Sequence, residues 1–140
     1  MTGLLASLLA LIFAALAAMH VAWAAGSGGR VEGFVPSDGG RPLFTPGPLA
    51  TLAVAAALAA ATLVVLCRAG LVCLGLPPPL ARIGIWIIAL LFAARAVGEF
   101  RYVGFFKRVR DTRFARLDSW IFSPLCVVIA ALAATVGWSP

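Results

Sequence analysis

The chain has 140 residues, of which 63 % are hydrophobic and only 11 % charged. Soluble domains run at roughly 45–50 % apolar and about 25 % charged, and a small domain leaves too much surface wet to hide such an excess of oil. A mean hydropathy of +1.07 excludes a disordered chain, which needs low hydrophobicity, and makes lipid the main solvent; the net charge of +6 sits between apolar runs.

A helix needs about 20 apolar residues to cross the hydrocarbon core of a bilayer. Four stretches qualify, at 3–25, 49–67, 83–106 and 119–138. The first carries no charge. Ala22-Trp23-Ala24 imitates a signal-peptide cleavage site, but no Lys or Arg precedes the run and the run outlasts an h-region, so we read a retained span. Gly26-Ser27-Gly28-Gly29 ends it, and Pro46-Gly47-Pro48 opens the second, uncharged span. Pro77-Pro78-Pro79 closes the second connection, since consecutive prolines cannot continue a helix. The third stretch holds Arg95, Glu99 and Arg101. A basic connection from Lys107 to Asp118 leads into the fourth, where Ser123-Pro124 lies within the first turns.

These signals predict an all-α membrane protein, an antiparallel four-transmembrane-helix bundle forming one domain over 1–140. Alanine repeats at every fourth position (Ala6, Ala10, Ala14, Ala18, Ala22; Ala53, Ala57, Ala61; Ala94 with Gly98; Ala130 with Ala134) offer surfaces for close helix approach. Orientation follows from Lys and Arg. The first and third connections hold Arg30, Arg41, Lys107, Arg108, Arg110, Arg113 and Arg116, whereas the other side holds Arg68 and Arg82. That bias makes the first side cytoplasmic and places both termini outside.

Charge within lipid costs roughly 2.5–3.5 kcal/mol on insertion scales, so such residues should turn inward and find partners. Arg95 and Glu99 are four apart, which on a helix sets them on one face, with Tyr102 extending it. His20, the sole histidine, shares a face with Trp23 on the same membrane side. Asp118 opens the fourth span, as a helix cap or as a member of a polar cluster. The expected ligand-binding set is thus His20, Trp23, Arg95, Glu99, Tyr102 and Asp118, set against a plain structural role for the same pair and cap.

Other chemistry is set aside. One histidine cannot supply bis-histidine haem ligation, and no H-E-x-x-H zinc site, phosphate-cradling loop or nucleophile elbow occurs. Cys67, Cys73 and Cys126 form no C-x-x-C pair and read as apolar filler. No catalytic residue, metal or cofactor is expected. The mixture of Phe, Lys and Arg from Phe105 to Leu117 reads as positive-inside topology with aromatic anchoring, or as a headgroup-binding surface.

The stretch Arg95-Ala96-Val97-Gly98-Glu99-Phe100-Arg101-Tyr102-Val103-Gly104-Phe105-Phe106-Lys107, with Phe114-Ala115-Arg116-Leu117-Asp118 and Ser123-Pro124-Leu125-Cys126, resembles the domain-of-unknown-function 3995 family. His20-Val21-Ala22-Trp23-Ala24 and the Gly-rich start of the first connection are similar too. Family members often carry Asp where this chain has Glu99. The resemblance implies a small four-span protein of a bacterial inner membrane and draws interest to His20, Trp23, Arg95, Glu99 and Asp118, but it implies no activity. The leading expectation is binding or facilitated movement of a small amphipathic or anionic molecule. An acid–base enzyme acting on a lipid-like substrate and a non-catalytic accessory subunit are the alternatives. Expected partners are the lipid bilayer, a small-molecule or lipid ligand and further copies of the chain in a homo-oligomer; nucleic acid is not among them.

Overall fold

The computed structural model describes residues 2–26, 33–38, 41–72 and 75–139. The glycines and serine that end the first span after Gly26, together with Arg30, Gly39, Gly40 and Cys73, fall outside this set. In chain order come α1 (Thr2–Ala24), two paired two-residue strands (β1, Ser37–Asp38, and β2, Arg41–Pro42), α2 (Pro48–Arg68) and α3 (Pro78–Val97). A final helical run joins α4 (Arg113–Leu117), a π-turn (Asp118–Phe122) and α5 (Ser123–Trp138). Four helical segments of 23, 21, 20 and 26 residues are long and apolar enough to cross a membrane. The chain is an all-α, multi-pass membrane protein.

The most extensive pairings are α1 with α2 and α3 with α5; α2 with α3 and α1 with α5 meet less, and α2 with α5 least. Core-facing positions recur at helical spacing: Ala6, Leu9, Ala10 and Phe13 in α1, and Cys126, Ile129, Ala133 and Val136 in α5. The other faces remain apolar and bare. Leu4 is 77 % exposed, Leu49 82 % and Leu90 66 %. In water such a surface would drive aggregation; in a bilayer acyl chains cover it.

The alanine repeats are only partly used. Ala6 and Ala10 are buried, but Ala14, Ala18 and Ala22 are exposed, as are Ala53 and Ala57. A step of four residues overshoots one helical turn by about 40°, so a long i, i+4 stripe winds off the contact face. Close approach comes instead from two glycines. A methyl group on Gly84 would lie 2.9 Å from the Val64 side chain, joining α3 to α2, and one on Gly137 would lie 3.0 Å from Ile85, joining α5 to α3.

The third helix is shorter at its end than the sequence predicts. It stops at Val97 rather than Phe106, because Gly98 turns away with φ 86°. The chain then folds back on itself. A Cβ on Gly98 would sit 1.8 Å from the Val103 carbonyl oxygen, and one on Gly104 would sit 2.4 Å from that of Val97. Only glycine permits this backbone-on-backbone contact. The fourth helical run begins earlier than Ser119. Thr112 caps it, its hydroxyl accepting from the Ala115 N–H at 3.1 Å, while Asp118 has ordinary helical angles and is no cap. Pro124 therefore falls inside a helix, where its ring opposes the carbonyl four residues back. The π-turn before it, closed by the Ser123 N–H on the Asp118 carbonyl, widens the helix at that point.

Candidate functional site

The membrane end that carries the first and third connections gathers most of the polar side chains. Its centre is Asp118, whose side chain is fully buried. Arg95 at the end of α3 donates through Nη2 to Asp118 Oδ1 at 2.9 Å. The other oxygen, Oδ2, accepts from Lys107 Nζ at 3.0 Å, from the Gly104 N–H at 2.8 Å and from the Ser123 hydroxyl at 3.3 Å. Lys107 is 2 % exposed and spends its other two protons on the Gly104 carbonyl (2.9 Å) and the Ser119 hydroxyl (2.7 Å). Three ammonium donors thus meet three acceptors, a match that suits a compact lysine head better than a guanidinium fork.

The i, i+4 pairing of Arg95 with Glu99 does not form. Glu99 lies beyond the end of α3, so helical spacing no longer applies to it. Its exposed carboxylate instead accepts the N–H groups of Arg101 (3.2 Å), Val103 (3.0 Å) and Tyr102, and so organises the reversal between Gly98 and Gly104. Tyr102 donates its hydroxyl to Asp38 Oδ2 at 3.1 Å, which ties the third connection to the first, and the Arg101 guanidinium lies 5.0 Å above its ring.

His20 and Trp23 belong to a separate, aromatic cluster. The His20 Nδ1 is 2.7 Å from the Leu16 carbonyl, and its ring packs 5.1 Å from that of Trp23. Trp23 meets Phe34 (4.9 Å), Phe34 meets Phe122 (6.0 Å) and Phe122 meets Phe114 (6.0 Å). This row links α1 to the fourth helical run through the first connection. Among the described residues, no hydrogen bond joins His20 to a carboxylate, and no group of three or more His, Cys, Asp or Glu has the geometry of a metal site. The six residues singled out from sequence therefore divide. Arg95 and Asp118 meet directly, His20 and Trp23 meet each other, and Glu99 and Tyr102 serve the loop.

Lys107 escaped the sequence reading, where it counted as one basic residue of a topogenic connection. Its signal was its type: it is the single lysine in a chain with ten arginines. Two features keep the cluster from being closed. It holds two cations against one anion, and Arg95, with a third of its side chain exposed, keeps Nη1 buried without a hydrogen-bond partner. Beside the cluster, under Phe105 and Phe106, an apolar groove of about 330 Å³ runs between Ala93 and Ala96 of α3 and Ala130 and Ala131 of α5.

The family model described as "Protein of unknown function (DUF3995)" matches residues 13–133, nearly the whole chain. The chain belongs to the DUF3995 family. No curated protein and no solved structure matches it. In this DUF3995 protein, the Arg95–Lys107 stretch that carries the resemblance is also the stretch that builds the ionic cluster and the glycine-closed loop.

Proposed function

We propose that this protein binds a small anionic amphipathic molecule at the Arg95 side of the ionic cluster, on the cytoplasmic face of a bacterial inner membrane. One observation carries the reading. Arg95 satisfies Asp118 with a single nitrogen, and its buried Nη1 has no partner in a cluster whose charges sum to one positive. A buried donor without an acceptor is costly, and an anionic head is the chemical complement of a half-used guanidinium. Exposure of a third of the side chain leaves a route for such a head from the interface. Asp118 is the positioning residue that aims Arg95. The excess of exposed arginines at this end (Arg41, Arg101, Arg108, Arg110, Arg113 and Arg116) supports its cytoplasmic placement, with both termini outside.

Native mass spectrometry of the detergent-purified protein tests the proposal. The wild type should retain an anionic adduct that Arg95→Gln loses while both keep the same helical circular dichroism. Equal retention by the two proteins would remove Arg95 from ligand binding. A specific observation favours the accessory-subunit reading for the rest of the cluster. Lys107 has no donor to spare and Asp118 is saturated and sealed, so these two act as a clasp between loop and helix.

A further inference from the structure

Arg95 is not among the residues that line the groove beneath Phe105 and Phe106. Its walls are Ala93, Ala96 and Val97 in the last turns of α3 and Val127, Ala130 and Ala131 in the middle of α5. Small side chains on both helices leave a slot where larger ones would interlock. At about 330 Å³ it reaches the lower end of the range for small-molecule sites, about 300–1,000 Å³. Its lining is almost wholly apolar and it is open along one side.

The roof is held from within. Lys107, locked to Asp118, the Gly104 carbonyl and Ser119, fixes the two phenylalanines before it and the arginine after it. Phe106 packs on Phe100 at 6.5 Å, and the Arg108 N–H donates to the Arg101 carbonyl at 3.2 Å. This pairing sets the Arg101 and Arg108 backbones side by side, Arg101 next to Phe100 and Arg108 two residues after Phe106. Both arginines are exposed; the Arg101 guanidinium lies over the Tyr102 ring, and neither guanidinium is hydrogen-bonded to another described residue. Aromatic rings with exposed arginines at the end of a spanning helix match the chemistry of a membrane interface.

We infer that this groove seats an acyl chain of an anionic phospholipid whose phosphate is taken by Arg101 and Arg108. The occupant follows from charge and position: the slot opens between two membrane-spanning helices, and the exposed charges on the loop that supplies Phe105 and Phe106 are cationic. The inference does not depend on Arg95, and the two sites are probed by different residues.

Native mass spectrometry and vesicle binding give the test. The purified protein is titrated with phosphatidylglycerol, with phosphatidylcholine of the same chains, and with glycerol phosphate, which has the head without the tails. The wild type should prefer phosphatidylglycerol. Each arginine near an anionic surface is worth roughly fivefold in binding, so the Arg101→Gln, Arg108→Gln pair should lower retention about thirtyfold and erase the preference. The Lys pair at the same positions should keep it. Ala131→Phe, an exposed position, should fill the slot and weaken retention of both lipids, with helicity unchanged by circular dichroism. Equal retention of the two phospholipids by the wild type would overturn the inference. So would full retention by Ala131→Phe, or binding of glycerol phosphate as tight as that of the lipid.

Discussion

Asp118→Asn removes one negative charge and almost no volume. In the folded protein the Asn oxygen can still accept from the Gly104 N–H and the Ser123 hydroxyl, which now point at Oδ2. What it cannot do is balance Lys107 and Arg95. Removing one partner of a buried ion pair costs about 3–5 kcal/mol, because the other charge stays buried alone. The two cations do not share this cost equally. Arg95 has a third of its side chain exposed and can recover water, whereas Lys107 is sealed and cannot. The loss should fall near the lower end, about 3 kcal/mol. Lys107→Met removes the stranded cation, so it should soften the effect of Asp118→Asn. The double-mutant cycle should show a coupling of at least about 1 kcal/mol. Unfolding in detergent, followed by circular dichroism and tryptophan fluorescence, measures all four proteins. A loss under about 0.5 kcal/mol for Asp118→Asn, or additive single changes, would refute the claim that Lys107 and Asp118 form a buried clasp.

Gly98→Ala and Gly104→Ala should each cost more than about 2 kcal/mol, since both combine a left-handed backbone with a Cβ driven into a facing main chain; wild-type thermal stability in either variant would contradict the loop geometry. Gly84→Ala should cost less, because its clash is with the Val64 side chain, which can shift. Glu99→Ala should speed hydrogen exchange at the Arg101, Tyr102 and Val103 amides, while Glu99→Gln, which still offers an oxygen, should largely preserve protection; identical exchange in all three proteins would show that the carboxylate does not organise the turn. Thr112→Ala should destabilise the protein by about 1 kcal/mol through loss of the helix cap, read by thermal unfolding, with Thr112→Asp restoring most of it.

The apolar runs sufficed to locate four spans, to show that they alternate in direction, and to identify which end is basic. Those properties depend on length and hydropathy along the chain, and the bilayer imposes both: about 20 residues to cross, and every backbone group bonded within its own helix. Which charge meets which was beyond their reach. Arg95 pairs with a residue 23 positions away because Gly98 ends the helix before Glu99 can come round to it. Lys107 turns inward, unlike its exposed neighbour Arg108, because folding brings a carboxylate, a carbonyl and a hydroxyl to one point. A charge count along a loop has no term for that convergence. The same holds for the alanine stripes, whose contacts depend on the drift of the helix surface around its axis rather than on the spacing of letters.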